Sequence, residues 1–420
     1  LEKTDFIFKI YTNMIYKAYK YRIYPNKEQI ELISKHIGCS RWIYNYALEK
    51  KNRVYQETGV GLSRFDLQKD IPLLKKQEET SWLKEVNSQS LQSSLEHLDN
   101  AFTKFFKKTG DYPKFKSKKN NKQSFSIQQS TYVDFENQKL DIPKFKTPIK
   151  IKISRIFEGK IKSSTITRTS TGKYFISILV EVPNELPKKK PISEDKAIGI
   201  DLGIKTFVVL SNGIEIENPK NLKKSLKKLK RIQRKVSKKV KGSNNRKKQS
   251  KKLAIIHEKV SNKRNDFLHK TSKFLVDNYD TLCLETLKPS NMVKNHKLTQ
   301  SLSDISIGNF NSYLDYKSDW YGSNIIRIGQ FEPSSKMCSC GKINNELKLS
   351  DRVWTCKSCN TTHNRDLLAA NNIKRFSFVK NNRELSLDRE LVLNTVGITE
   401  IYACGDMKLV TNSAQETINF

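Results

Sequence analysis

Residues 197–203 read AIGIDLG, an apolar stretch that predicts a short strand ending in the carboxylate of Asp201. Residues 281–285 read TLCLE and predict a second strand with Glu285 as its last residue. Carboxylates at the carboxyl ends of strands lie at the rim of a sheet, where open α/β folds bind their ligands. If the two strands are neighbours, the two side chains lie close together and repel each other unless a cation shares the site.

Asp366 supplies a third carboxylate, in the first turn of a helix predicted to begin at this residue. The positive end of that helix favours the ionised form of the side chain. Three acids on three elements suit hard ions such as Mg²⁺, and two such ions about 4 Å apart can hydrolyse a phosphodiester. Each acid also has a structural alternative: Asp201 as a turn former, Glu285 as a strand-end charge and Asp366 as a helix N-cap.

The charge balance indicates the class of partner. The chain has 78 Lys and Arg against 43 Asp and Glu, which gives a formal net charge of +35. A compact protein with this charge repels itself unless a polyanion neutralises it, so we expect a large nucleic-acid footprint. The alternative is a basic protein that is soluble in its own right. No apolar run approaches the roughly 20 residues that a membrane span needs.

Two segments concentrate the positive charge. Residues 219–278 carry roughly twenty Lys and Arg and three acids, and they predict a helical hairpin broken near Gly242, with one apolar and one positive face. Residues 111–125 place Phe115 and Phe125 among lysines, a composition that suits a phosphate backbone with stacked bases. The alternatives are a solvated helix face and a solvated loop anchored by the two Phe. The candidate nucleic-acid contacts are Lys20, Arg22, Arg41, Lys114, Lys116, Lys118, Lys119, Arg231, Arg234 and Arg365.

The N-terminal region predicts one strand followed by helices. Residues 15–24 alternate as in a half-buried strand with a basic outer face, and Asn26 is a candidate N-cap for the helix that follows. A second helix is expected from Arg41, and helical segments continue to about Lys108.

Later segments predict a sheet and further helices. Residues 126–182 alternate with period two around a turn at 169–172, so they predict an antiparallel barrel or sheet that the first strand joins. A helix is expected over 304–321 and a strand over 324–331, whereas the last forty residues show no clear periodicity.

Four of the seven cysteines lie within about twenty residues, which indicates a metal site rather than a disulfide framework. Cys338 and Cys340 form one pair, and Cys356 and Cys359 form a C-x₂-C pair typical of zinc knuckles. The first pair is one residue short, so a Cys₄ zinc site requires the turn at Gly341 to adjust. The alternative is a ribbon that packs without metal. The remaining cysteines, predicted to be small packing residues, are Cys39, Cys283 and Cys404.

Several segments together resemble a known family. They are GIDLGIK at 199–205, LETL at 284–287, DLLAANNI at 366–373, NHKLTQSLSD at 295–304, LSDRVWTC at 349–356 and PKFKSK at 113–118. In combination they are similar to TnpB, the transposon-encoded RNA-guided DNA endonuclease family related to Fanzor proteins and type V CRISPR effectors. The sequence departs from the usual family pattern at Thr286, Asn364 and Leu368.

The resemblance implies an α/β, multi-domain architecture. Its expected parts are a β-barrel wedge domain (14–25 and 111–190), a helical recognition lobe (26–110), an RNase H-like (RuvC) nuclease domain (195–335 and 364–378), an inserted zinc ribbon (336–363) and a loose tail (379–420). The family's catalytic acids correspond to Asp201, Glu285 and Asp366. They would hold two Mg²⁺, with Mn²⁺ as a substitute, beside one structural Zn²⁺.

The resemblance also implies the partners and the reaction. These are a guide RNA from the transposon end and a double-stranded target DNA, cleaved next to a short flanking motif that the protein reads. A cytoplasmic, nucleoid-associated prokaryotic protein is expected, with its oligomeric state left open. The alternatives are a guided DNA-binding repressor or transposition accessory protein without nuclease activity, which the intact acids argue against, and a transposase that transfers strands itself.

Overall fold

A computed structural model of the chain describes residues 15–119, 123–182, 186–287, 296–348 and 350–384. The chain divides between Glu185 and Leu186 into two compact units. The first combines helices with an antiparallel sheet, and the second is built on a mixed sheet. In the described residues, no helix is both long and apolar enough to cross a membrane.

The first unit begins with strand β1, Ile15–Tyr24, followed by helix α1, Lys27–Thr58. Asn26 caps α1 as predicted, because its side chain accepts from the backbone N–H of Gln29 and the Gln29 side chain accepts from the backbone N–H of Asn26. The prediction of a separate helix from Arg41 is wrong, since α1 runs without a break to Thr58. Buried residues on both sides of Arg41 anchor the helix, and those from Cys39 to Leu48 pack in the core shared with the helices that follow.

Three further helical segments complete the helical part of this unit. They are α2, Arg64–Lys76, a 3₁₀ helix, Glu78–Glu85, and α3, Ser88–Phe106. Leucines of α3, including Leu91 and Leu95, pack against Ile43 and Leu48 of α1.

The sheet of the first unit has seven antiparallel strands. After β1 they are β2, Gln123–Ile127; β3, Tyr132–Asp134; β4, Lys139–Asp141; β5, Ile149–Lys152; β6, Lys160–Arg168; and β7, Tyr174–Val182. Their order is β2-β6-β7-β1-β5-β4-β3, so β1 joins the sheet as predicted and lies at its centre. Among the described strands, β2 and β3 are the two edges, and the pairing is that of an open sheet rather than a closed barrel.

The second unit contains a five-stranded sheet. Its strands are β8, Ala197–Leu202; β9, Thr206–Leu210; β10, Glu215–Glu217; β11, Thr281–Glu285; and β12, Asn324–Ile328, in the order β10-β9-β8-β11-β12. The strands β8, β11 and β12 are parallel. The strands that carry Asp201 and Glu285 are therefore direct neighbours, which is the arrangement that brings the two carboxylates close together. Strand β12 ends at Ile328, before the predicted end at 331.

Helices cover one face of this sheet. The predicted basic hairpin is α4, Asn221–Ser237, and α5, Asn244–Asn278. The predicted helix over 304–321 is instead two helices, α6, His296–Ile305, and α7, Ile307–Tyr321, because Ser306 adopts a left-handed conformation with φ of 53°. Phe207, Leu275 and Phe310 are buried in the core between strands and helices.

A small ribbon and one long helix complete the described chain. Strands β13, Val353–Thr355, and β14, Thr362–Asn364, pair antiparallel and lead into α8, Arg365–Glu384. Helix α8 therefore continues six residues past the predicted end of the last nuclease segment at 378. It packs directly on β8, since a Cβ at Gly199 would lie 1.9 Å from the carbonyl oxygen of Ala370. Gly199 is therefore required for this approach.

Candidate active site

The three candidate acids converge at the carboxyl edge of the five-stranded sheet. Leu284 of β11 pairs with Ile200 of β8, and continuing this parallel register places Glu285 beside Asp201. Asp366 lies in the first turn of α8, the helix that packs against β8 through Gly199. The sheet and the helix together bring three side chains that are far apart in sequence to one region.

The electrostatics of Asp201 reflect this convergence. Burial, and after it the negative charges of Glu285 and Asp366, together raise the pKa of Asp201 from its ordinary 3.8 to about 7. The positive charges of Arg365 and Arg352 lower the pKa and offset part of this effect. A perturbed carboxylic acid between two other acids is typical of a site that binds a cation.

Two of the acids have protein partners. The Ser334 hydroxyl donates to Glu285, and Arg352 Nη1 donates to both carboxylate oxygens of Asp366, at 2.9 and 3.1 Å. Among the described residues, none donates a hydrogen bond to the Asp201 carboxylate. The sequence patterns did not single out Ser334 or Arg352, although each precedes a cysteine pair by four residues.

The structure also bears on the alternative roles of two of the acids, Asp366 and Asp201. Asn364 takes the N-cap role at α8, since its side-chain oxygen accepts from the backbone N–H groups of Asp366 and Leu367 at 3.0 and 3.3 Å. The carboxylate of Asp366 is therefore not needed as a cap. Asp201 lies within β8 opposite Val209 of β9, rather than in a turn.

The three departures from the family pattern all have structural partners. Thr286 donates to the carbonyl oxygen of Ile328 at 2.6 Å, and Leu368 is buried against the ribbon core. Asn364 is the N-cap just described. None of them removes a carboxylate from the site.

The spacing of the acids differs from that of a single-ion cage. In the described residues, the four ribbon thiols are the set whose ligand atoms all lie within 4.8 Å of one another, and the three acids do not meet this spacing. Two ions about 4 Å apart need oxygens spread on both sides of the pair. The described carboxylates of Asp201, Glu285 and Asp366 lack the compact spacing that the four thiols have.

The cysteine cluster has the geometry of a tetrahedral metal site. A zinc–sulfur bond of about 2.3 Å in a tetrahedron places two sulfurs roughly 3.8 Å apart. The Sγ atoms of Cys338 and Cys359 are 3.5 Å apart, and those of Cys340 and Cys356 are 3.8 Å apart. These two distances, and a spacing of no more than 4.8 Å among all four sulfurs, suit a zinc ion held by four thiolates.

Gly341 makes the short first pair compatible with this geometry. Its φ is +89°, a conformation that favours glycine, and its N–H donates to the Cys338 carbonyl at 2.9 Å. The adjusted turn that the C-x-C spacing required is present.

Neighbouring groups shift the pKa values of the thiols in opposite directions. The backbone of Lys342 lowers the pKa of Cys340, but hydrogen bonds with the other three cysteines outweigh this effect and raise it to about 11. Hydrogen bonds with the hydroxyl and backbone of Thr361 lower the pKa of Cys359 to about 6, so the thiolate is accessible at neutral pH. His363 Nε2 lies 3.0 Å from Cys338 Sγ. Outside the cluster, Cys39 and Cys283 are buried packing residues as predicted, and Cys404 lies outside the described residues.

The candidate nucleic-acid contacts are distributed unevenly. Exposed positions are Lys20, Lys114, Lys118, Lys119, Arg231 and Arg234. Arg22 stacks 5.0 Å from the ring centroid of Phe175, and its Nη1 is buried without a hydrogen-bond partner. Arg365 is buried and donates to the Lys348 carbonyl at 2.7 Å, so its guanidinium serves the protein interior rather than an external phosphate.

Lys116 and Arg41 line a cavity of about 280 Å³ in the first unit. Asn45 holds the backbone of Lys116 at both its N–H and its carbonyl, at 2.7 and 3.0 Å. The ammonium lies 3.8 Å above the ring of Tyr44, and burial lowers the pKa of Lys116 to about 8. The lining residues include no acid, so the cavity suits an anion.

Comparison with known proteins identifies the family. A Streptomyces pristinaespiralis protein named "Putative RNA-guided DNA endonuclease" is 38% identical over 360 residues, covering 85% of this chain and 88% of that protein. The chain belongs to the TnpB family. The Escherichia coli TnpB relative named "Putative RNA-guided DNA endonuclease InsQ" is 30% identical over 372 residues, which cover 85% of this chain and 91% of its own length.

Three family models match parts of this TnpB chain. They are described as "Probable transposase" (177–296), "Helix-turn-helix domain" (14–59) and "Cas12f1-like, TNB domain" (308–373). The described part of the second match, from Ile15, is a strand followed by one continuous helix.

The fold has a counterpart among solved structures. The protein in the cryo-EM structure of a Cas12f1–sgRNA–target DNA complex superimposes with a TM-score of 0.54 at 15% identity, covering 86% of this chain and 99% of that one. The TnpB chain thus has a mixed α/β, multi-domain fold like that of Cas12f1.

The raised pKa of Asp201 predicts a pH-dependent effect of Asp201→Asn. The folded chain binds this proton more tightly than the unfolded chain, so the wild type loses stability as pH rises from about 4 to about 7. In EDTA, Asp201→Asn should raise Tm by several degrees at pH 8 and by clearly less at pH 5, measured by differential scanning calorimetry. A pH-independent gain would contradict this origin of the pKa.

The thiol geometry predicts zinc content. Protein purified anaerobically should contain about one zinc per chain by elemental analysis, and Cys356→Ser should lose it because a tetrahedral site needs all four ligands. Cys283→Ala, a buried thiol outside the cluster, is the matched control and should keep its zinc. Full zinc content in Cys356→Ser would rule out the Cys₄ assignment.

Proposed function

We propose that this TnpB chain is an RNA-guided, Mg²⁺-dependent DNA endonuclease of an insertion sequence, cleaving target DNA next to a short flanking motif. The observation that carries the proposal is the convergence of Asp201, Glu285 and Asp366 at one edge of the sheet, where the charges of Glu285 and Asp366 help to raise the pKa of Asp201. The names of the two relatives support the guided DNA substrate. The likeness to Cas12f1 supports the same architecture.

The three acids would hold two Mg²⁺. Bound Mg²⁺ would lower the pKa of a water and stabilise the leaving 3′ oxygen of the phosphodiester. The chain's own contribution is to orient the ligands. Arg352 and Ser334 hold two of the carboxylates, and Asp201 keeps its oxygens available to a cation.

We assign the parts of the chain as the family implies. The five-stranded sheet with its helices would be the RuvC-like nuclease domain, interrupted by a zinc ribbon at 336–363. The first unit would provide the helical lobe and the wedge sheet. The charge of +35, with the basic hairpin α4–α5, supports binding of both guide RNA and target duplex.

Guidance divides the recognition between protein and RNA. Base pairing with the guide would select the target sequence, while the protein reads the flanking motif and the shape of the heteroduplex. The backbone contacts would come from cations without acidic neighbours, such as those of the cavity around Lys116.

The central test separates cleavage from binding. Asp201→Ala should reduce cleavage of a matching duplex by about 10³-fold or more, because a metal ligand is lost. Affinity for the same duplex, measured with co-purified guide RNA by fluorescence anisotropy, should remain within a few fold. An active Asp201→Ala variant would exclude this metal site. Absence of guided cleavage by the wild type, with guided binding intact, would instead favour a DNA-binding repressor.

Lys116 should contribute more to nucleic-acid binding than its neighbour Lys114. A desolvated, pre-placed ammonium gains a charge-assisted partner, so Lys116→Met should weaken affinity for the guide RNA or the target duplex about tenfold. Lys114→Met removes the same charge from an exposed site and should change affinity less than threefold. The effect of Lys116→Met should shrink above pH 8, where Lys116 of the free protein is neutral. If the two variants changed the affinity for the guide RNA equally, and likewise the affinity for the target duplex, the cavity would have no role in binding.

A further inference from the structure

Two of the three acids are held by residues of the cysteine-bearing segment. We call residues 333–364 the ribbon arm. Ser334, near its start, donates to Glu285, and Arg352, in its middle, donates to both oxygens of Asp366. Within the described part of the ribbon arm no residue donates to Asp201, which is placed by its own strand. The ribbon arm therefore connects two distinct sites, the thiol cluster and the carboxylate site.

The spacing of these contacts is the same on both sides of the ribbon. Ser334 precedes Cys338 by four residues, and Arg352 precedes Cys356 by four residues. Each cysteine pair thus follows one residue that reaches a carboxylate. A four-residue tether can span about 14 Å when extended, so it couples the two sites only where hydrogen bonds hold it in place.

Hydrogen bonds fix the first tether. Lys336 and Met337 both donate their backbone N–H to the Pro333 carbonyl, at 3.1 and 3.0 Å, so the chain between Ser334 and Cys338 is a tight turn. Asn372 of α8, itself 3% exposed, donates to the carbonyl oxygens of Ser334 and Met337 at 2.7 and 2.6 Å. The position of Ser334 is therefore determined by the same turn that carries Cys338.

The second tether is fixed in the same way. The carbonyl of Arg352 accepts from the backbone N–H of Arg365 at 2.8 Å, and the following strand β13 pairs with β14. Trp354 and Cys356 are buried in the small core that also contains Cys338. This core is small, so closure of the thiol cluster by a metal would contribute much of its order.

We propose that the metal-loaded ribbon positions Glu285 and Asp366 through Ser334 and Arg352, so that occupancy of the thiol site controls the affinity of the carboxylate site for divalent cations. This proposal rests on the proposed nuclease function. Ser334 and Arg352 are positioning residues, because they act through the two acids. Without a metal on the thiols, the two tethers are no longer fixed and the like-charged carboxylates move apart. The free energy needed to gather them around an ion then rises.

Arg352 allows a sharp test, because its charge and its positioning role predict opposite effects. Removing a positive charge beside three acids should strengthen cation binding if only electrostatics mattered. Loss of positioning should weaken it. Partners that orient metal ligands typically contribute about 10- to 100-fold in metal affinity, so Arg352→Gln should weaken Mn²⁺ binding by about that factor.

The experiment is a titration of Mn²⁺ into the full chain, with the free ion followed by electron paramagnetic resonance and zinc measured in every sample. Ser334→Ala and Arg352→Gln should weaken Mn²⁺ binding about 10- to 100-fold while keeping their zinc. Arg352→Lys should recover part of the affinity. The matched controls are Ser350→Ala and Lys357→Gln, which lie in the ribbon arm but pair with Asp351 and Glu346, and both should bind Mn²⁺ like the wild type.

Zinc removal provides a second experiment that needs no substitution. Wild-type protein stripped of zinc with a chelator and then dialysed should show the same weakening, and stripping Arg352→Gln should add little more. Unchanged or tighter Mn²⁺ binding in Arg352→Gln, or wild-type affinity after zinc removal, would overturn the proposal. If Asp201→Ala also bound Mn²⁺ like the wild type, the proposed nuclease site would fail with it. If only Asp201→Ala lost binding, the positioning inference alone would fail.

Discussion

Mutual repulsion among Asp201, Glu285 and Asp366 is the constraint around which the second unit is organised. Folding places three like charges at one sheet edge, and burial together with the charges of Glu285 and Asp366 raises the pKa of Asp201 there. Arg352 pairs with Asp366 and, with the buried Arg365, lowers that pKa by lending positive charge. The two arginines do not cancel the negative charge of the three acids. An acid cluster that keeps part of its charge favours the binding of a cation.

Backbone packing makes this convergence possible. Parallel pairing of β8 and β11 sets Glu285 beside Asp201, whereas Asp366 arrives only because α8 lies directly on β8. The absence of a side chain at Gly199 permits that contact. The apolar residues of the two strands face opposite cores, with Ile200 and Leu284 toward the helices of one face and Cys283 toward α8 on the other. The carboxylates lie at the rim, where the two cores end.

The positive charge of the chain serves two different purposes. Cations on the exposed faces of the basic hairpin, such as Arg231 and Arg234, are free to meet a polyanion. Arg365 is instead buried, and its guanidinium donates to the Lys348 carbonyl and the Ser335 hydroxyl. Lys116 lies between these two cases, since its ammonium packs above an aromatic ring at the edge of a cavity that suits an anion. A net charge of +35 therefore predicts the class of partner, but not which residues touch it.

Local patterns in the sequence were enough to predict much of this protein. Alternation predicted β1 and the antiparallel sheet, Asn26 was identified as a cap, and the break at Gly242 divided the basic hairpin. These features depend on neighbours within a few residues, so short stretches of sequence are enough to predict them. The candidate acids could also be identified from the sequence, because a carboxylate at the end of a predicted strand is recognised without knowing the fold.

Only the tertiary structure decided the rest. The continuity of α1 past Arg41 depends on a core shared with α3, and the division at Ser306 depends on how α6 and α7 pack. The burial of Arg365 and the hydrogen bonds of Ser334 and Arg352 to two acids depend on residues 14 to 49 positions apart. Sequence periodicity reports which face of an element is apolar. It carries no information on which distant side chain will meet a charge, because that is set by how the elements pack together.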